Sequence, residues 1–588
     1  MKQFFKFLLA STLGTFIAIF IAGLVLFSIF AASIASFSKQ AMVRSNSVLE
    51  LNFDQLIPEQ TNNVQVAPFE FDTDEVLGVH EVAKTIEHAA KDDKIKGIYL
   101  KSSAFGGGLV KVDIIREALE NFKAEGKFIV SHSKFYTQSA YLLASSADQV
   151  YLNPMGMVDF RGFGGVLSFY KNLLEKTDIE MQIFWAGKFK GATEPYRLDK
   201  LSDANREQLT ENVNDMYDQY LKNLSESRNI SVDSLRSIAD NYYGGVAEQA
   251  KAVGLIDEIA YEDQVMADLR ERLGLGENKK VKTISLSKYH GASDISNNQS
   301  SDNVVAVVYA EGAILDGEGE NGIIGDKPYM EVANKLRKDD KVKAVVLRVN
   351  SPGGSAMASE NIWRTFMLLR DAGKPVIISM GEYAASGGYY IAAAGEYIFA
   401  EENTLTGSIG VYRMIPSLEK MYENKLGITN DVISTGPFAT GFNPAKSLNE
   451  TQKRWMQADT KRTYGVFLKR VADARNMTVE EVDEIAQGRV WTAKRAKANG
   501  LVDEIGDLDD AIAYAVESAE LEDYRIKTYP KLKAPFEQMI EDIFNTDQAR
   551  EKAIKAELGD FYDHYQMLKS MHNQKGVQAM MPFRLKID

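Results

Sequence analysis

The chain has 588 residues, which exceeds what one hydrophobic core supports and predicts about three to four domains. Its formal net charge of −14 argues against general nucleic-acid binding, because that needs a basic surface. It contains no cysteine, which excludes thiolate nucleophiles, thiolate metal sites and disulfides. Its six histidines show no spacing typical of metal ligands. We therefore expect neither a bound metal nor a cofactor.

The N-terminal segment is strongly apolar. No charged residue occurs from Phe7 to Ser38, a stretch longer than the roughly 20 apolar residues that span a bilayer. Two lysines precede the run and favour a cytoplasmic N-terminus. We therefore predict a single membrane anchor within residues 1–45. A cleaved signal peptide is the alternative, since small residues lie near the end of the run.

The body of the chain is a tandem repeat. The segment Lys91–Lys96 recurs as Lys338–Lys343, an offset of 247 residues, and the glycine pair Gly106–Gly107 recurs as Gly353–Gly354 at the same offset. A period this long indicates a duplicated domain rather than a solenoid. The predicted organisation is a membrane anchor at 1–45, a first repeat at 46–284, a linker at 285–302, a second repeat at 303–530 and a helical tail at 531–588.

Each repeat alternates short apolar runs with helical patterns. This alternation predicts an α/β fold with a largely parallel sheet. In the second repeat the predicted strands are Val304–Tyr309, Ala344–Val349 and Pro375–Met380, and the predicted helices are Ser359–Asp371 and Gln452–Ala474.

Ser386 is the candidate nucleophile. It follows a predicted strand, precedes two glycines and stands at the start of an alanine-rich helix, where free backbone N–H groups point outwards. The alternative is an ordinary helix N-cap serine. A second glycine pair, Gly353–Gly354, follows another strand and offers N–H groups for an oxyanion, although it could also be a simple turn.

A serine nucleophile needs a base, and the second repeat contains no histidine. A buried lysine that stays neutral can serve instead. In the first repeat Lys190 lies before a Glu-Pro pair, and repeat matching places Ala439 opposite it in the second repeat. One repeat therefore supplies the lysine and the other the serine. Lys188, close to Lys190, is interpreted as a solvated surface lysine.

The first repeat keeps a serine, Ser139, at the position that matches Ser386, but without the glycines that follow it. A second active site there would need a lysine from the second repeat, where Ala439 stands. We therefore predict that Ser139 is not a nucleophile.

Four motifs together resemble the long form of the signal peptide peptidase A (protease IV) family, within the Clp-protease and crotonase superfamily. They are Ser351-Pro-Gly-Gly354, Ala385-Ser386-Gly-Gly388, Thr406-Gly-Ser408-Ile-Gly410 and Lys190-Gly-Ala-Thr-Glu-Pro195. The resemblance implies two tandem ClpP/crotonase-like domains, built from duplicated ββα units, after an N-terminal transmembrane helix.

The resemblance also implies a function and its residues. Ser386 would be the nucleophile, Lys190 the base and Ser408 the residue that orients the lysine. The oxyanion hole would come from the N–H groups of Gly387 and of Gly353 or Gly354. Family members are serine endopeptidases of the bacterial inner membrane that assemble as homotetramers, with single-pass anchors and extracytoplasmic catalytic domains. They degrade cleaved signal peptides and other apolar peptides.

Two other functions are compatible with parts of the sequence. A crotonase-type enzyme acting on acyl-CoA would use similar glycine loops, but the chain has no recognisable nucleotide pocket. The Gly317–Gly322 segment matches a dinucleotide pattern, yet its acidic residues would repel a pyrophosphate. A non-catalytic membrane scaffold is the second alternative, and the retention of both Ser386 and Lys190 argues against it.

Overall fold

The computed structural model of the chain describes residues 3–4, 6–7, 11–18, 20–21, 42–64, 75–293, 295, 301–532 and 576–581. Most of the predicted membrane anchor at 1–45, and the helices predicted in the tail at 531–588, lie outside these residues. Across the described ranges, no helix combines the length and the apolar character needed to cross a bilayer.

The first repeat folds around a parallel sheet. Its strands are β1 Ser47–Leu51, β2 Ile95–Leu100, β3 Phe128–Tyr136, β4 Gln149–Val158, β5 Glu180–Ala186, β6 Glu258–Ile259 and β7 Lys282–Ser285. All except β5 form a six-stranded sheet in the order β6-β4-β3-β2-β1-β7, with every neighbouring pair parallel.

Helices cover both faces of this sheet because its central strands are apolar on both faces. Val48 and Leu49 are adjacent and fully buried, and they pack into different hydrophobic clusters on opposite sides of the sheet. The helices are Val79–Lys91, Leu109–Ala124, Gln138–Ala144, Lys171–Lys176, Glu194–Arg197, Asp203–Arg228, Val232–Asp240, Ala247–Ala252, Glu262–Arg272 and Leu286–Ala292.

The second repeat has the same plan. Its strands are β8 Val304–Glu311, β9 Ala313–Leu315, β10 Ile323–Gly325, β11 Val342–Ser351, β12 Gly353–Ser355, β13 Val376–Ala385, β14 Tyr397–Ala400, β15 Leu405–Gly407, β16 Val411–Ser417, β17 Val490–Thr492, β18 Glu504–Ile505 and β19 Arg525–Tyr529. The main sheet runs in the order β17-β15-β13-β11-β8-β19, with β14 beside β13 and β18 beside β14.

The helices of the second repeat are Asp326–Lys338, Ala356–Asp371, Gly387–Ala392, Glu419–Met421 with a π-helical continuation Tyr422–Leu426, Glu450–Arg475, Val479–Ile485, Ala493–Ala498 and Leu508–Ser518. Two predicted strands fall within β8 and β11, the third overlaps β13 except at Pro375, and both predicted helices fall within observed ones. The α/β class with parallel sheets is therefore confirmed.

The segment predicted as a linker, 285–302, begins as a helix. In Leu286–Ala292, Leu286 and Tyr289 lie one turn apart and pack against the first repeat. The buried Tyr289 hydroxyl donates to Asp92 at 3.0 Å. The polar composition of the segment indicated a linker, but these two apolar residues fix its first part to the first repeat.

A third sheet joins the two repeats. A last strand, β20 Gln578–Met580, follows the second repeat, and the sheet runs in the order β10-β9-β12-β20-β16-β5. Here β5 of the first repeat pairs antiparallel with β16 of the second over its whole length. This pairing places the chain that follows β5, which carries Lys190, against the second repeat.

Buried charges also link the repeats. The guanidinium of Arg348, on β11, lies 3.0 Å from the carboxylate of Glu59 in the first repeat, and both side chains are buried. Glu382, on β13, accepts the backbone N–H of Lys111 at 3.0 Å, at the start of the helix Leu109–Ala124. Because buried ions are stable only with good partners, these contacts fix how the repeats dock.

Candidate active site

Ser386 occupies a strained turn between β13 and the helix Gly387–Ala392. Its backbone has φ 58° and ψ −115°, a conformation that costs a non-glycine residue on the order of 1–3 kcal/mol. Its N–H donates to the Gly407 carbonyl at 2.7 Å. The side chain makes no capping hydrogen bond to the helix, so the N-cap role considered from the sequence is not realised.

Lys190 comes from the first repeat and reaches Ser386. Its Nζ lies 2.7 Å from Ser386 Oγ, donates to the Ser408 carbonyl at 2.9 Å and lies 3.0 Å from Ser408 Oγ. The side chain is 1% exposed. Burial, which disfavours the charged form, lowers the pKa of Lys190 well below its ordinary value.

A neutral amine fits these three contacts. It has two N–H groups and one lone pair, whereas an ammonium has three donors and no lone pair. The two N–H groups can go to the carbonyl and hydroxyl oxygens of Ser408. The lone pair then faces the Ser386 hydroxyl, which is the arrangement that a general base needs.

Close packing across the two repeats holds the lysine in place. Gly488 lies against it, since a Cβ at this glycine would come within 2.7 Å of the Lys190 Cβ. Gln208 bridges the repeats: its side chain donates to the Phe189 carbonyl at 3.0 Å and accepts the Val490 N–H at 3.0 Å. The backbone next to Lys190 is therefore tied to β17 of the second repeat.

The predicted oxyanion glycines converge beside Ser386. A Cβ on Gly353 would lie 2.6 Å from the Gly387 nitrogen, and one on Gly387 would lie 3.0 Å from the Gly354 nitrogen. Gly353 and Gly354 form β12 rather than the simple turn considered from the sequence, with φ of 94° and 159°. Only glycine adopts the first of these without strain, and the missing Cβ atoms allow a carbonyl oxygen to approach this backbone closely. The Gly353 N–H donates to the Ser351 hydroxyl at 3.1 Å.

Ser408 also has an unusual backbone conformation. Its φ is 50°, and its N–H donates to the Arg489 carbonyl at 2.6 Å. This turn points both its carbonyl and its hydroxyl at Lys190 Nζ. The remaining candidates lie elsewhere: Lys188 and Ala439 are exposed, and Ser139 lies inside the helix Gln138–Ala144.

Sequence reasoning missed the groups that support the lysine. Gly488 could have been found from the repeat. The offset of 246 residues that relates Gly254 to Gly500 matches Gly488 in the second repeat with Tyr242 in the first. A glycine is thus present only where the lysine packs. Gln208 had no such signal, since a glutamine in an amphipathic helix is ordinarily a surface residue. The C-terminal strand β20 beside the glycines was not predicted either.

The assembled site contains a hydroxyl on a strained turn, a buried amine that can be neutral, and convergent backbone N–H groups. These are the three elements of serine-type acyl transfer: nucleophile, base and oxyanion hole. The described residues contribute no histidine or carboxylate to the contacts of Lys190 Nζ.

Comparison with known proteins identifies the family. The model of peptidase family S49 matches residues 120–276 and 368–522, one stretch in each repeat. The chain is 37% identical to Protease 4 of Salmonella typhi over 462 residues, covering 76% of this chain and 73% of that protein. It is 34% identical to Protease 4 of Haemophilus influenzae over 508 residues, covering 83% and 82%.

A plant protein is also similar. The chain is 33% identical to the chloroplastic serine protease SPPA of Arabidopsis thaliana over 466 residues, covering 78% of this chain and 68% of that protein. With both repeats matched and relatives aligned over most of their length, the chain belongs to peptidase family S49 and is a serine protease.

Proposed function

We propose that Ser386 and Lys190 form a Ser–Lys catalytic dyad, with Ser386 as nucleophile and Lys190 as general base. The observation that carries this proposal is the 2.7 Å distance between Lys190 Nζ and Ser386 Oγ in a fully buried site. Desolvation supports the neutral lysine that the base role requires, because burial lowers its pKa.

In the acylation step, Lys190 takes the hydroxyl proton as Ser386 Oγ attacks the peptide carbonyl carbon. The N–H groups of Gly387 and of Gly353 or Gly354 stabilise the oxyanion of the tetrahedral intermediate. Removing one such donor from a serine protease typically costs about 10²–10³ in kcat. The protonated lysine then gives its proton to the leaving amine, and the peptide C–N bond breaks.

In the deacylation step, Lys190 is neutral again and takes a proton from water. The resulting attack on the acyl-enzyme ester returns free Ser386 and releases the carboxylate product. Ser408 acts as a positioning residue, because it keeps the two N–H groups of the amine occupied. Activity should therefore fall as the pH drops through the lowered pKa of Lys190.

The test is hydrolysis of a fluorogenic apolar peptide ester by the full chain in detergent. Ser386→Ala and Lys190→Ala should each lose at least about 10³-fold in kcat/KM, as expected when members of one catalytic unit are removed. Lys188→Ala is the matched control, because this exposed lysine lies two residues away and should keep normal turnover. Near-normal activity of Lys190→Ala would show that the base is another group.

The substrates in this proposal are cleaved signal peptides and other apolar peptides. The anchor predicted from the Phe7–Ser38 run supports it, since an enzyme held at the membrane meets such peptides where they accumulate. The catalytic repeats would lie on the extracytoplasmic side of a bacterial inner membrane. Protease accessibility of the repeats in intact spheroplasts tests the side, and N-terminal sequencing tests whether the anchor is retained.

The same proposal includes a homotetramer. Ile433, Val166 and Met155 are more than 90% exposed, and contacts between subunits would remove such apolar side chains from water. Light scattering of the detergent-solubilised chain should give a mass of four protomers, and a monomer mass would contradict the assembly.

A further inference from the structure

Arg489 lies at the boundary between the two repeats, one residue after the Gly488 that packs against Lys190. Its guanidinium carbon is 4.7 Å from the centroid of the Phe189 ring and 4.4 Å from that of the Trp491 ring. Phe189 precedes Lys190 in the first repeat, and Trp491 lies on β17 of the second. Cation–π contacts of the arginine therefore hold the residue next to the proposed base.

The same guanidinium forms ion pairs across the repeat boundary. Its Nη2 lies 2.6 Å from Glu211 and 3.5 Å from Glu207, two carboxylates one turn apart on the helix Asp203–Arg228 of the first repeat. The Arg489 side chain is 16% exposed, so water screens these contacts only in part. A planar, delocalised cation can stack on rings and donate to carboxylates at the same time, which an ammonium cannot do.

The backbone of Arg489 supports the lysine amine from another side. Its carbonyl accepts the Ser408 N–H at 2.6 Å, in the turn where Ser408 has a φ of 50°. The carbonyl and hydroxyl oxygens of Ser408 in turn contact Lys190 Nζ. One residue thus contacts both the chain that carries the lysine and the turn that receives its N–H groups. A shift of Arg489 would disturb both.

The repeat shows that this arrangement occurs once in the chain. The offset of 246 residues matches Arg489 with Tyr243 and Trp491 with Gly245. The first repeat therefore has neither the cation nor the ring at these positions. Only the copy that packs against Lys190 carries them, as expected if they serve the lysine rather than the fold that both copies share.

We propose that Arg489 is a positioning residue for the reaction. Its side chain fixes Phe189, and thereby Lys190, and its backbone fixes Ser408. This inference rests on the proposed function of Ser386 and Lys190. Without the guanidinium, the Phe189 segment is less firmly held against the second repeat. Water then reaches the amine and favours its charged form, which cannot act as a base.

The test is Arg489→Met in the full chain in detergent, assayed by peptide-ester hydrolysis over a series of pH values. The kcat should fall at least about tenfold, because small displacements of a catalytic group are costly, and KM should stay the same. The acid limit, the pH below which activity is lost, should rise by about one unit. Full burial shifts a pKa by up to about 3–5 units, and partial hydration reverses part of that shift.

The other charged groups around this contact remain in every variant. They are Glu207, Glu211, Lys188, whose ammonium lies 5.1 Å from the Phe189 ring centroid, and Arg495, which lies 3.3 Å from Glu211. The backbone N–H and carbonyl of Val490 also keep their hydrogen bonds to Gln208 and Asn212, at 3.0 and 3.2 Å. We therefore expect the two repeats of Arg489→Met to stay docked.

Arg272→Met is the matched control. The Arg272 guanidinium carbon lies 5.6 Å from the Phe128 ring centroid, and its Nε lies 2.7 Å from Asp268. The same two kinds of contact are thus lost, but entirely within the first repeat. This variant should keep the kcat and the acid limit of the wild type. If Arg489→Met loses activity with an unchanged acid limit, its role is only structural and the proposal is wrong.

A second variant covers the case in which Arg489→Met folds poorly, as urea unfolding would show. Phe189→Leu removes the ring but leaves the arginine and its ion pairs. It should also lower kcat and raise the acid limit, and the double variant should lose little more than Arg489→Met alone, because both changes remove one contact. Wild-type kcat and acid limit in both single variants would overturn the positioning role. If Ser386→Ala and Lys190→Ala are inactive in the same assay, the dyad stands regardless.

Discussion

Replacing Lys190 by methionine should change how stability depends on pH. Methionine keeps an unbranched side chain in the buried site but removes the titrating amine. In the unfolded chain the lysine has its ordinary pKa of 10.5, and in the folded chain burial lowers the pKa well below that value. Holding the amine neutral below pH 10.5 therefore costs stability, by about 1.4 kcal/mol for each pH unit until the lowered pKa is reached.

The sign follows from proton binding. Between the lowered pKa and 10.5, the unfolded wild type binds one more proton at Lys190 than the folded wild type. Its free energy of unfolding therefore decreases as the pH falls through this range. Lys190→Met lacks this contribution. The difference between variant and wild type should thus move in the variant's favour as the pH falls, by about 1.4 kcal/mol for each pH unit between 10.5 and the lowered pKa.

The assay is urea unfolding followed by tryptophan fluorescence at several pH values, with Lys188→Met as the control. The exposed control should follow the wild type at every pH. The pH at which the difference between wild type and Lys190→Met levels off should equal the pH at which peptidase activity is lost, because both report the ionisation of Lys190. Parallel pH profiles for wild type and Lys190→Met would refute the neutral buried lysine.

Two further variants test the support of the site. Gly488→Ala should lower kcat at least about tenfold, because its Cβ would displace Lys190, the proposed base. Gly373 has a similar positive φ but open space around it, so Gly373→Ala should lose only about 1 kcal/mol of stability and keep its kcat. Glu59→Gln should lower the free energy of unfolding by about 3 kcal/mol in urea titrations, because it leaves Arg348 with less counter-charge, and exposed Glu522→Gln should not.

The sequence was enough to predict that Lys190 lies close to Ser386, because the chain contains two copies of one domain. A residue that is present in one copy and missing from the other indicates which copy supplies it. Two copies of one fold place matching residues at matching sites, so a lysine in one copy and a serine followed by glycines in the other indicate complementary halves. The strands were predictable for a related reason. Buried parallel strands are apolar on both faces, so they appear as continuous apolar runs such as Ala344–Val349.

The rest of the site depends on contacts between distant parts of the chain. Gly353–Gly354 is locally indistinguishable from a turn, and it becomes a strand because β20 pairs with it from more than 200 residues away. Glu59 and Arg348 are ordinary charged residues in the sequence, and only docking of the repeats buries them together. Helix Leu286–Ala292 was missed because polar neighbours outweighed its two apolar contacts.

The division of the proposed dyad between the two repeats has a chemical consequence. Lys190 can act as a base only if it is desolvated. The groups that contact its amine, Ser386 and Ser408, belong to the second repeat. Gly488, which packs against the Lys190 backbone and Cβ, belongs to it as well. An undocked first repeat would leave the lysine solvated and charged, and an undocked second repeat would have a serine without a base. In the proposed mechanism, activity therefore depends on the interface between the repeats. The third sheet and the Glu59–Arg348 pair support it because they hold the two repeats together.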